Sequence, residues 1–421
     1  MRAFSMAFLA ILACVSAARP QEQGNLVNNG DFEMGFKDGV AIGWQGWADG
    51  WGGREYYDET AEVHAGQHAQ GWRTVVGSSS GIHQVVTGLR AGQPYRLTMW
   101  TQYQSPGVMW AECGFDLAGG TDPFGVKWTK MEGDGKAGRW LRYQADFVAD
   151  GESVSIWYKW GSRGSSLGMA DDVVLEPIDT TNVDWGSAAG TVWAMGGPPL
   201  PGATVTMRPG RASMTTRGDG TFAFDRVYRG TYTFAAEKPG YLPDTVSEAT
   251  FTDGEQRRVD LVLKRFDYIV GGDFETGFTE GVASCWTPWY VGDARFEGAR
   301  STEVRHGGGA AQHWETIAGQ SGIRQIVAGL EEGAAYDLSL WVLPEQGEAI
   351  RCGYDLTGGR KLADATWLAK PVPTDADWQH YAAGLTPERD RVTIWLSWTE
   401  GAGVVDDVSL TRHDPDLDIA Q

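Results

Sequence analysis

The chain is 421 residues long, with 58 glycines, 20 tryptophans and a formal net charge of −20 at pH 7. Such acidity repels a phosphate backbone and excludes nucleic acid as a partner. Long helical periodicity is absent, and short alternating runs between Gly, Asp and Pro turns predict an almost all-β protein of several domains.

The chain opens MRAFSMAFLAILACVSAARP, an early Arg, an apolar run and then small residues at Val15-Ser16-Ala17, as expected of a signal peptide over residues 1–17. No other apolar stretch is long enough to span a bilayer, so no membrane insertion is expected and the mature chain is expected to be secreted. Ile11-Leu12-Ala13-Cys14 also reads as a lipoprotein box, which would anchor the protein at the cell surface through Cys14. Both alternatives stay open.

Residues 27–177 and 269–411 are two copies of one module. Leu26 to Trp47 (LVNNGDFEMGFKDGVAIGWQGW) returns as Tyr268 to Trp289 (YIVGGDFETGFTEGVASCWTPW). Ala69 to Leu89 returns as Ala311 to Leu330, CGFDLAGG at Cys113 returns as CGYDLTGG at Cys352, and ADDVVL at Ala170 returns as VDDVSL at Val405. The copies diverge in TDPFGVKW (Thr121 to Trp128) against KLADATW (Lys361 to Trp367), and the Trp51-Gly52-Gly53 stretch loses its Trp. We place the modules at 24–178 and 266–412, a separate block at 183–265, and a disordered tail at 413–421.

Each module holds eight or more short strands, which suits a jelly-roll β-sandwich. The opening Asn-x-Gly-Asp-Phe-Glu and the closing Asp-Asp-Val-x-Leu resemble the galactose-binding-like carbohydrate-binding modules of the family 4/9/22 type. That resemblance implies first and last strands side by side, with a structural Ca²⁺ where they meet. It would be held in the first copy by Glu33 and Asp171 with Asp31 or Asp172, and in the second by Glu275 and Asp406 with Asp273 or Asp407. Calcium takes six to eight oxygens, which such acids supply. The alternative, that they cap turns and solvate a sheet edge, stays open.

The middle block reads G-T-V, P-L-P-G-A-T-V, D-G-T-F-A-F, G-T-Y-T-F, K-P-G-Y and V-D-L-V-L between Gly190 and Leu263. Its alternation predicts strands, and its motif order resembles a carboxypeptidase-regulatory-like domain. That implies a prealbumin-type sandwich acting as a stiff spacer without peptidase chemistry. The expected fold is therefore all-β, two jelly-roll sandwiches separated by a small prealbumin-like one.

Alternation also sorts the tryptophans. Trp100, Trp157, Trp341 and Trp395 share strand faces with polar residues, where indole could stack on a sugar ring. Gln70 with Trp72, Gln312 with Trp314, and the matching Gln84 and Gln325 form a plausible saccharide-reading set, since an amide both donates and accepts. Asp116 and Asp355 would complete it. The alternative is that these tryptophans lie half-buried under loops while the glutamines tie backbone.

Cys113 and Cys352 occupy the same apolar strand position and read as buried thiols; Cys285 has no counterpart, and a Cys285–Cys352 bridge is one option. No G-x-S-x-G elbow, H-E-x-x-H, P-loop or G-x-G-x-x-G occurs in a fitting context. The chain is therefore read as no enzyme: a secreted protein that binds polysaccharide or glycan through two sites. A structural or adhesive envelope protein contacting protein partners, and a polysaccharide lyase or hydrolase, remain as alternatives.

Overall fold

A computed structural model describes residues 24–49, 54–74, 79–104, 109–130, 138–162, 166–368 and 377–418. The expected signal segment with Cys14, and Trp51 to Gly53, lie outside the described residues. No described helix is long and apolar enough to cross a membrane.

The first module is a two-layer sandwich. One five-stranded sheet runs Leu141–Val148, Pro94–Tyr103, Ser166–Pro177, Ala69–Thr74 and Arg54–Glu59; the other runs Gln45–Asp49, Ser79–Thr87, Ser153–Ser162, Met109–Asp116 and Lys127–Lys130. Leu97, Met99, Leu175, Ile82, Ile156 and Tyr158 meet between the layers, as alternating strands with one apolar face require. The second module repeats the pattern with three long strands, Ala311–Ala328, Tyr336–Asp355 and Arg391–Arg412, each spanning the positions of two strands in the first copy. Register shifts at Thr316/Gln320 and between Pro344 and Arg351 let these strands bend from one layer to the other.

The two ends of each module are zipped together. Leu26 N donates to Leu175 O and Val173 N to Gly30 O, both at 2.8 Å; Tyr268 N donates to Leu410 O at 2.9 Å and Val408 N to Gly272 O at 2.8 Å. Cys113 and Cys352 are fully buried, and Cys285 and Cys352 are both thiols, so the optional bridge is not formed.

The middle block forms its own sandwich. Its larger sheet runs Thr221–Val227, Gly186–Ala194, Leu261–Arg265 and Tyr241–Leu242, with Gln256–Arg258 also paired to Gly186–Ala194; the smaller runs Ala212–Thr215, Thr204–Arg208, Gly230–Glu237 and Asp244–Phe251. Both neighbours are tied to it. Val148 of the first module enters its core, and Asp146 receives Arg229 Nη2 at 2.6 Å while Arg96 grips it from its own module. Asp150 takes Arg208 and Arg211.

The expected disordered tail is instead docked where it is described. Residues 415–418 form one short helical turn, Asp414 is buried, and Lys238 Nζ lies 2.8 Å from Asp414 and 2.9 Å from Asp416. The Tyr241 hydroxyl donates to Asp414 at 2.8 Å. An acidic terminus reads as solvated until its lysine partner, far upstream in the chain, is known.

Candidate functional site

The acids of the module ends converge on one loop. Asp171 Oδ2 accepts from His64 N at 2.8 Å and Ala65 N at 3.2 Å, while Glu33 Oε1 accepts from Gln67 N at 2.7 Å and His68 N at 3.0 Å. Asp406 does the same for His306 N and Gly307 N, and Glu275 for Gly309 N and Ala310 N. A β-bulge places the paired acids: Asp172 and Asp407 adopt φ of 46° and 49°, so that Asp171 and Asp406 point inward while Asp172 and Asp407 meet the imidazoles of His64 and His306. Between the two grips sits Gly66 or Gly308, where a Cβ would fall 2.1 or 2.0 Å from the glutamate Oε1. Among the described residues, Asp31 and Asp273 accept only from the main chain of Glu33 and Glu275.

Carboxylate oxygens suit calcium as a donor type. Burial, then the neighbouring Asp172 charge, pushes the Asp171 carboxyl up to about 7, and burial raises Asp406 in the same direction, a cost a cation would relieve. Among the described residues no three carboxylate, imidazole or thiol side chains gather as a ligand group, so main-chain oxygens would have to complete the shell.

Most of the residues expected to read sugar serve the scaffold. Trp72, Trp157, Trp314 and Trp395 are at most 1% exposed. Gln70 accepts from Ala41 N and donates to Gly39, Tyr57 and Gly71 carbonyls, and Gln312 repeats this with Ala283, Gly281, Ala299 and His313. Gln84 bridges Asn28 and Gly43, and Gln325 bridges Val270 and Cys285. Asp116 and Asp355 cap their own turns at Ala118 and Thr357. Amides that saturate buried backbone have no hydrogen-bonding capacity left for a ligand. Trp100 and Trp341 are half-buried, with His64 stacked at 4.0 Å and His306 at 4.1 Å. None of these side chains offers an exposed ring by itself, although Trp157 lies in a cluster outside the core.

A different arrangement emerges on the solvent side of one sheet. Register aligns Gln45, His83, Trp157, Gly114 and Trp128 across five strands, and beside them Trp47, Gly81, Lys159 and Glu112. Trp47, Trp157, Trp128 and Val126 form an apolar cluster separate from the core, so Trp157 is the floor and Trp128 is the half-exposed lip. Trp157 packs against Trp47 at 5.5 Å and His83 at 4.1 Å. Lys159 pairs with Glu112 and lies 4.2 Å over the Trp128 ring. The sheet positions beneath must be glycine: a Cβ on Gly114 would fall 3.2 Å from Trp128 and 2.8 Å from Lys127 O. Phe124, 95% exposed, stands on the short 3-10 turn that leads into Trp128.

The second module builds the same face from Trp289, Trp395, Gly353 and Trp367. Here Arg324 lies 4.9 Å over Trp395 and Arg351 4.7 Å over Trp367. Alternation identified the outward side of Trp157 and Trp395 but missed Trp47, Trp128, Trp289 and Trp367, which arrive from other strands. A usable signal was there: glycine occupies the neighbouring position on the flanking strands in both copies.

Residues 187–264 match the family model of the carboxypeptidase regulatory-like domain. No curated protein matches the chain. Among solved structures, the N-terminal CBM22-1–CBM22-2 tandem of Xyn10C from Paenibacillus barcinonensis is similar over 93% of this chain and 98% of its own, at 12% identity and a TM-score of 0.29. TmCBM61, solved with β-1,4-galactotriose, covers 37% of this chain and 99% of its own at 20% identity and a TM-score of 0.30. The family 11 carbohydrate-binding module of Lic26A-Cel5E from Clostridium thermocellum covers 35% and 92% at 8% identity and a TM-score of 0.24.

Proposed function

We propose that the chain is an exported, non-catalytic protein that binds polysaccharide at two places, one on the outward tryptophan face of each module. The observation that carries this reading is the apolar cluster of Trp47, Trp157 and Trp128 on the solvent side of a sheet, outside the core and edged by Lys159 and Glu112. Indole offers the flat apolar surface that a pyranose C–H face covers, and the charged edge supplies hydrogen bonds for its hydroxyls. The reading is non-catalytic because the acids of that face are engaged, Glu112 by Lys159 and Asp116 by its own turn.

Affinity electrophoresis of the full chain in a panel of polysaccharides tests it. Trp128→Ala and Trp367→Ala should each weaken retention by roughly tenfold or more, the equivalent of ~1.4 kcal/mol. Two sites on one polymer gain about 10²–10⁴-fold over one, so the double variant should lose retention altogether. A double variant retained like the wild type would remove the assignment.

The same proposal includes calcium as a fold staple at the end seams, held by Glu33 and Asp171 in the first module and Glu275 and Asp406 in the second. It would supply positive charge to buried carboxylates and take no part in binding chemistry. A cation at a hundred times its Kd stabilises by about 2.7 kcal/mol. EDTA should therefore lower both module transitions in calorimetry by several degrees, and unchanged transitions would dismiss the cation.

A further inference from the structure

The two tryptophan faces share a floor but not a charge. In the first module the positions around the floor are His83, Glu112 and Lys159; burial lowers the His83 pKa, and Glu112 is paired with Lys159, so the set is neutral. The equivalent residues of the second module are Arg324, Arg351 and Ser397, which leaves two positive charges and no negative one. Neither guanidinium has a carboxylate at ion-pair distance among the described residues: Arg324 Nη1 donates to the Arg360 carbonyl at 3.0 Å, and both lie over indole rings. Asp355, two positions beyond Gly353, is shared with the first copy as Asp116; it is buried, and its Oδ1 is turned onto Thr357.

A second contrast points the same way. In the first module the Trp157 indole N–H donates to Ser155 Oγ at 2.7 Å. At the equivalent position Thr393 gives its hydroxyl to Gly359 O, and Trp395 Nε1, only 1% exposed, is left without an acceptor among the described residues. Two guanidinium groups with no carboxylate partner among the described residues are donors that an acceptor-rich group would satisfy. Holding unpaired cations on an acidic protein is otherwise unrewarded, because acids are abundant elsewhere on the chain.

We propose that the second module takes an anionic polysaccharide, its carboxylate or sulfate groups bound by Arg324 and Arg351, whereas the first module takes a neutral one. The proposal rests on the glycan-binding reading above. Arginine forms paired charge-assisted hydrogen bonds to planar carboxylate and to sulfate oxygens while its flat side stacks on indole, so anion and sugar ring can be held together.

The test is affinity electrophoresis of the full chain in matched polymers: polygalacturonate against its fully methyl-esterified form, and dextran sulfate against dextran. Stronger retention by a charged polymer than by its uncharged counterpart is expected, the difference weakening as salt is raised; which charged polymer gains retention assigns carboxylate or sulfate. Arg324→Gln with Arg351→Gln should lower that affinity by about tenfold or more, while Arg217→Gln, an exposed arginine of the middle sandwich, leaves it within about twofold. Arg351→Glu with Ser397→Lys rebuilds the pair of the first module in the same fold and should abolish anion retention without lowering the melting temperature.

Equal retention by charged and uncharged polymers, or Arg variants retained like the wild type, would overturn the charge assignment. If Trp128→Ala still loses a neutral polymer in that case, glycan binding stands alone. If neither panel retards the wild type, both fall.

Discussion

Replacing Gln70 by leucine destabilises the first module by about 3 kcal/mol, and Gln312→Leu does the same to the second, because each orphans several buried main-chain groups that cost ~1–3 kcal/mol apiece. Gln70 Oε1 accepts from Ala41 N at 2.8 Å, and its Nε2 reaches Gly39 O at 2.9 Å and Gly71 O at 2.8 Å. Gln312 makes the same bonds to Ala283, Gly281 and His313 at 2.8–2.9 Å. Both side chains are fully buried, and they pin the short hairpin that follows the opening motif to the strand carrying the glutamine. Leucine fills the volume but satisfies none of these groups, and water cannot enter to replace it. Calorimetry of the full-length protein should show one module transition falling in each variant. A variant that keeps its transition and loses only polysaccharide retention would return the glutamine to a ligand-reading role.

The second large effect is expected at the joint between the middle sandwich and the second module. Lys238→Met leaves Asp414 charged and enclosed, and breaking a buried pair from one side costs about 3–5 kcal/mol. The side chains of Lys238 and Asp414 are 9% and 4% exposed, so the pair is poorly screened. Burial works to raise the Asp414 carboxyl, but hydrogen bonds from Lys238 and Tyr241 outweigh it and hold the carboxyl below its ordinary 3.8. A depressed carboxylate contributes fully above 3.8, and its contribution disappears as pH falls through the lower folded value. Burial, followed by the Asp414 hydrogen bond, raises the Tyr241 hydroxyl above its ordinary 10.0, so its share is full below that pH and is lost as pH rises through the folded value. The joint should therefore resist proteolysis near residues 413–418 evenly from about pH 5 to 9 and open under stronger acid. The Lys238→Met protein should be cut there at neutral pH, and equal resistance of variant and wild type would refute the clasp.

Architecture was far more legible in the sequence than chemistry, and the reason lies in what alternation reports. The repeat of NNGDFE and ADDVVL marks two equal modules, the family resemblance implies that their ends meet, and the main-chain bonds from Val173 to Gly30 and from Val408 to Gly272 show them meeting. Alternation states that Gln70 and Trp72 share a face, but not that the face looks inward; both belong inside. It places Trp157 outward correctly, yet cannot say that Trp47 and Trp128 lie over it, since those rings come from strands distant in the chain. The change from Glu112 to Arg351 was visible in the aligned copies. Its meaning depended on register, which sets Glu112 opposite Lys159 and Arg351 opposite Ser397.

Val148, a residue of the first module, completes the core of the middle sandwich, and Leu417 from beyond the second module packs against the same core. A spacer that borrows parts from both neighbours cannot swivel freely beneath them. On the proposed reading, once one face has captured a polymer the other is already positioned, and little orientational freedom remains to be lost at the second contact. Such a protein would distinguish its targets by pitch as well as by sugar: a strand whose repeat brings suitable residues to both faces together would be held, and one with the wrong spacing would slip away.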